Sequence, residues 1–78
     1  MDNNLDLLKA KMNRQPFQSF VIEFVSGHRI LIDTDTEIYF PEKRPGLVTT
    51  FTAGGLMQQF ESDSIARLID ADVTEWPQ

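Results

Sequence analysis

From Phe20 onward the hydrophobic pattern has a period of two. Phe20, Ile22 and Phe24 alternate with Val21, Glu23 and Val25, the signature of a strand with one strongly apolar face. Ser26-Gly27-His28 supplies a tight reversal, with Gly27 free to take positive φ, and the alternation resumes from Arg29 to Phe40. These two segments predict a hairpin whose second strand is long, with Ile30, Ile32, Thr34, Thr36, Ile38 and Phe40 on one face and Leu31, Asp33, Asp35, Glu37 and Tyr39 on the other. A chain so organised must build a sheet and hide its apolar face.

Its length sets how it does so. Seventy-eight residues bury only roughly 60–65% of the surface exposed on unfolding, enough for one small core and a single domain over residues 1–78. A doubly wound nucleotide-binding sheet, a (β/α)8 barrel and a two-domain cleft are all excluded. There is no cysteine, so disulfide scaffolds, thiol nucleophiles and thiolate zinc sites are excluded too, and a reducing, cytoplasmic setting is expected. No basic-then-apolar leader is read at the N-terminus, and Glu23 interrupts the purest apolar run, which argues against secretion and membrane spanning.

The remaining elements follow from punctuation. Residues 3–14 predict a helix, with Asn3 and Asp6 at its start, Lys9, Lys11 and Arg14 towards its end, Leu5, Leu8 and Met12 along one stripe widened by Leu7, and Pro16 as its stop. Pro41 to Gly46 must be a loop, because two prolines and a glycine cannot continue a ladder. Leu47 to Thr52, a turn at Ala53-Gly54-Gly55, and Leu56 to Glu61 form a second hairpin. After Ser62-Asp63-Ser64 the stretch Ile65 to Val73 fits a helical turn as well as a strand; a 3₁₀ turn leading into a short fifth strand is preferred.

A helix followed by four sequential antiparallel strands, a sharp break and a short last strand gives a mainly β chain, with strand edges hidden in a small, strongly bent antiparallel barrel over residues 18–73 and a tail at 74–78. In this order of elements the chain resembles the Sm-like family, within the wider Src-homology-three-like barrel group. One local match supports it: Phe60-Glu61-Ser62-Asp63-Ser64-Ile65 stands where that family typically carries hydrophobic-Arg-Gly-Asp/Asn-x-hydrophobic between its fourth and fifth strands. The resemblance implies RNA held by that Arg and by an Asp/Asn pair after the second strand. Here Glu61 replaces the Arg, and no Asn lies between Asp33 and Phe40. The Pro16-Phe17-x-x-Phe20 entry also resembles a class of short bacterial proteins, a likeness that implies no activity.

Charge points the same way. Twelve Asp and Glu against seven Lys and Arg leave −5 at pH 7, and the last eighteen residues hold five acids against Arg67. Phosphate recognition needs clustered cations, so nucleic-acid binding is disfavoured. No catalytic, cofactor or metal set emerges either. Asp33, Asp35 and Glu37 spread along an extended strand, with Ile38 and Arg44 where a calcium loop needs Gly and Glu. His28 is a turn residue without a nucleophile or orienting acid, and Gly54-Gly55 is followed by no Lys-Ser/Thr and no helix. Lys43-Arg44 reads as a solvated loop.

What remains is an expectation of protein interaction, with a second copy or another protein as partner. Val21, Val25, Leu31, Tyr39, Val48 and Met57 lie opposite the main core stripe, which comprises Phe20, Ile22, Phe24, Ile30, Ile32, Leu47 or Val48, Phe51, Phe60 and Ile65, with Leu5 and Leu8 docking the helix over one mouth. The Sm-like resemblance implies that the fourth strand (Leu56 to Glu61) meets the fifth (Leu68 to Val73) of a neighbour, with Leu56, Gln58, Phe60, Leu68, Asp70 and Trp76 as interface residues. Trp76 either folds back towards Tyr39 and Phe17 or anchors that interface.

Overall fold

The computed structural model describes residues 3–71. The order of elements is helix α1 (Asn3–Met12), β1 (Phe20–Phe24), β2 (Arg29–Ile32), β3 (Glu37–Tyr39), β4 (Leu47–Phe51), β5 (Met57–Glu61), a 3₁₀ turn (Ser62–Ser64) and β6 (Ile65–Asp70). The 3₁₀ turn and the strand after it resolve the ambiguity after Ser62 as preferred. The last strand begins at Ile65 rather than Leu68, and Val73 and Trp76 lie outside the described residues, as does the side chain of Asn3.

Two antiparallel sheets result, ordered β2-β1-β6 and β3-β4-β5. Their hairpins turn where expected: the Phe24 amide donates to His28 O at 2.8 Å with Gly27 at φ 92°, and the Thr52 amide donates to Leu56 O at 3.0 Å with Gly55 at φ 86°. Positive φ is the glycine requirement of both turns.

The long second strand does not form; this is the main correction to the sequence reading. Residues 33–36 fold into a side-chain-locked turn. Asp33 Oδ1 accepts from the Asp35 amide at 2.9 Å and from the Thr36 hydroxyl at 3.0 Å, while the Asp33 amide donates to Thr36 Oγ1 at 3.2 Å. Short polar side chains that satisfy nearby backbone compete with a ladder, and here they win. Alternation in Asp33-Thr34-Asp35-Thr36 therefore marks a corner, and Asp33 and Asp35 leave the strand face assigned to them. The corner passes the chain from one sheet to the other, so the described residues form six strands rather than five, and no ladder among them joins the sheets into a closed barrel.

The core lies between the sheets. Leu8, Phe20, Ile22, Ile32, Val48 and Ile65 are buried together, with Leu5, Met12, Phe24, Ile30, Phe60 and Leu68 packed against them. Register explains the membership: Phe20 faces Ile32 and Ile22 faces Ile30 on one side of β1, and Ile22 faces Leu68 on the other. In the second sheet Val48 faces Phe60 on the inner side, so of the two places the sequence offers it Val48 takes the core one, ahead of Leu47. Phe51 is a converse correction. It pairs with Met57 on the outer face and sets its ring edge-on to Tyr39 at 5.7 Å, where it is half-buried. Val21 also departs from expectation, being 1% exposed although it lies opposite the core stripe beside Leu31 and Ile69.

Helix α1 closes one side, ending two residues before the predicted Arg14. Leu8 enters the core, and the Lys9 ammonium sits 5.3 Å from the Phe40 ring centre. Asn4 Nδ2 donates to Ser62 O at 3.1 Å and Ile65 O at 3.0 Å, tying the helix to the 3₁₀ turn. This anchor carries no periodicity signal.

Candidate functional site

The backbone groups at the sheet edges can be assigned by hydrogen-bond alternation. In an antiparallel ladder, opposed residues alternate between exchanging both bonds and exchanging none. Between β4 and β5 the bonds from the Ser62 amide to Gly46 O at 2.7 Å and from the Thr52 amide to Leu56 O bracket the series. Val48/Phe60 and Thr50/Gln58 are therefore the bonded pairs. The amides and carbonyls of Met57, Gln59 and Glu61 turn away from β4.

The β6 edge alternates in the same way. Bonds from the Ala71 amide to Ser19 O at 3.0 Å and from the Val25 amide to Ser64 O at 2.8 Å flank its ladder with β1. Val21/Ile69 and Glu23/Arg67 are bonded, so Leu68 and Asp70 direct their backbone groups outward. Among the described residues no strand covers either edge. At five and six residues, β5 and β6 are the longer edge strands of their sheets.

The expected interface residues fall into three groups. Leu56 is 60% exposed at the end of the second hairpin, while Gln58 and Phe60 are half-buried on the inner face of β5. Leu68 and Asp70 are different: Leu68 packs on the core, and the Asp70 carboxylate accepts from Lys11 Nζ at 2.6 Å and Arg14 Nη2 at 3.0 Å. Their side chains serve the fold; only their backbone edge faces outward. Trp76 lies outside the described residues.

Beside the β5 edge is a cleft of about 480 Å³ where the two sheets part. Phe24, Val25 and Ile30 form one wall and Gln58 and Phe60 the other, with His28 at the rim. Its floor is the edge-on contact of Phe24 and Phe60, ring centres 4.9 Å apart, and the His28 imidazole stacks on Phe24 at 6.2 Å. None of the lining side chains is Asp, Glu, Lys or Arg. Val25, at the lip, is 73% exposed. The spacing of Phe24 and Phe60 marked them as core; that the sheets separate there was not visible in the pattern.

Around this neutral cleft the charges are paired. On the outer face of the first sheet, Glu23 accepts from Arg29 Nε at 2.8 Å and Arg67 Nε at 2.6 Å, a row across all three strands. The bonds from Arg67 and then Arg29 hold the Glu23 carboxyl below its ordinary value. Arg44, from the loop between Pro41 and Gly46, reaches Glu61 at 3.4 Å, so the residue standing where the family resemblance places an Arg is itself engaged by a cation. Among the described residues no cluster of His, Cys, Asp or Glu is placed to hold a metal ion, and no helix is long and apolar enough to cross a membrane.

Asp70 gives a pH test of the helix dock. Hydrogen bonds from Arg14 and Lys11 lower its carboxyl from 3.8 to about 2. A carboxylate depressed in the folded state stabilises fully above its unfolded value and loses that contribution as pH falls towards the folded one. Asp70 is 44% exposed, so solvent screening reduces the contribution to about 1 kcal/mol. Asp70→Asn is expected to lower urea stability by that amount at pH 7 and to match the wild type near pH 2. An equal deficit at both values would show that the loss is not electrostatic.

Compared with protein-family models, with curated proteins and with solved structures, the chain matches none.

Proposed function

We propose that this chain is a non-enzymatic, self-assembling interaction module: a small bent barrel of Sm-like type whose copies join when β5 of one pairs with β6 of the next. The observation that carries the reading is the pair of long edges with outward backbone groups at Met57, Gln59 and Glu61 and at Leu68 and Asp70. Unpaired edges of this length invite strand addition unless charge or proline blocks them, and β5 has one charged residue and no proline. The Asp33–Thr36 corner, which carries the chain abruptly from β2 of one sheet to β3 of the other, supports the bent reading.

The test is Gln59→Pro. The Gln59 amide faces away from β4, so proline removes an outward donor and spares the β4–β5 ladder. Light scattering is expected to show oligomers for the wild type at high micromolar concentration and monomers for the variant, both with the same far-ultraviolet circular dichroism. A wild type that stays monomeric would overturn the reading.

A further inference from the structure

The cleft beside β5 and the hydrogen-bond alternation of both edges together identify what should enter it. If β5 and the β6 of a neighbouring copy run antiparallel, with Met57, Gln59 and Glu61 exchanging bonds with its outward groups, the residues between them form the non-bonded pairs, and directly opposed residues share a face. On β5 those residues are Gln58 and Phe60, which stand on the inner face and line the cleft together with Gln59 between them. On β6 they are Arg67 and Ile69, whose own backbone groups are spent on β1. The register that centres the strands sets Gln59 opposite Leu68, Gln58 opposite Ile69 and Phe60 opposite Arg67.

We infer that Ile69 of a second copy occupies the cleft, resting on the edge pairing proposed above. Three features agree. The cleft is uncharged, with Phe24, Val25, Ile30 and Phe60 as its apolar lining, and Ile69 is the apolar member of the pair presented to it. Ile69 is half-buried on the outer face beside Val21, outside the core cluster, so a second copy can reach it without unfolding its owner. Side chains approach most closely at non-bonded pairs, and Val25 at the opposite lip offers a second apolar wall. Arg67, next along the strand, keeps its guanidinium at the solvent rim, where it is 62% exposed in the single chain.

Ile69→Lys would press an ammonium into an apolar wall and is expected to weaken association at least about tenfold in sedimentation experiments, with thermal unfolding of the monomer little changed. Because the chain lacks cysteine, crosslinking gives an independent readout. Mixed Gln58→Cys and Ile69→Cys proteins should form a disulfide-linked heterodimer on mild oxidation, whereas Gln59→Cys, on the opposite face, should not link to Ile69→Cys. If Gln59→Pro disperses the oligomer but Ile69→Lys leaves association unchanged, the edge pairing stands and the cleft assignment falls. A monomeric wild type overturns both. Should Ile69→Lys fail to fold, the crosslink decides, and its absence in an associating protein overturns the assignment.

Discussion

Phe20→Ala is expected to bring the protein to the limit of folding. Phe20 is fully buried on the central strand of its sheet, with Ile32 opposite it on β2 and the Phe17 ring 6.2 Å away. Removing a buried Phe side chain costs about 3–5 kcal/mol, because the transfer term is joined by that of a cavity the surroundings cannot fill. A chain of this size has a total stability of about 4–12 kcal/mol at typical values per residue. Phe24→Ala should cost less, since Phe24 is half-buried at the cleft, and Phe51→Ala about 1 kcal/mol, since its ring lies on an outer face. Urea midpoints should therefore fall in the order Phe51→Ala, Phe24→Ala, Phe20→Ala, from smallest loss to largest. A Phe51→Ala protein as damaged as Phe20→Ala would mean that the second sheet faces the other way.

That ordering shows where the pattern in the sequence was informative. Alternation from Phe20 to Phe24 has one physical cause, an inner and an outer face of a strand, and Phe20, Ile22 and Phe24 do turn inward, although Val21 is buried on the outer face as well. Alternation from Asp33 to Thr36 has another cause. Short oxygen-bearing side chains alternate there because Asp33 and Thr36 bond each other and the local backbone, so a period of two was produced by a corner. Polarity alternating with β-branched Thr cannot distinguish the two cases. Phe51 was misassigned and Val48 left between two faces for a related reason: Leu47, Val48 and Phe51 offer two overlapping apolar parities, and only pairing with Phe60 and Met57 decides between them.

The candidate surface was legible in outline. Its strands and the small number of charges on them could be read from the sequence, whereas the direction in which each amide points depends on ladder phase, which is set by the turns at residues 52–56 and 62–65. The engagement of Asp70 by Lys11 and Arg14 spans more than fifty residues of sequence and leaves no local trace. Acidic residues near the C-terminal end thus read as repulsive charge, when one of them is a latch for the helix.

The helix is where that latch has its largest consequence. A ten-residue helix is marginal by itself in water, so α1 exists because it is docked. Leu8 is its fully buried residue and joins the same cluster as Ile22 and Ile65. Leu8→Ala is expected to cost about 2–5 kcal/mol, with the upper half of the range favoured because the rigid strands around it cannot collapse into the space. The effect should not stay local. Asn4 holds the carbonyls of Ser62 and Ile65, so an undocked helix releases the 3₁₀ turn from which β6 departs. Hydrogen exchange in Leu8→Ala should accordingly speed up at the helix amides and at the Ile65 amide, which donates to Ser62 O, while the amides of Thr50 and Gln58 in the β4–β5 ladder keep most of their protection. Uniform acceleration throughout the chain would instead show that helix and sheets unfold as one unit, and that α1 is an integral part of the core and no separable brace.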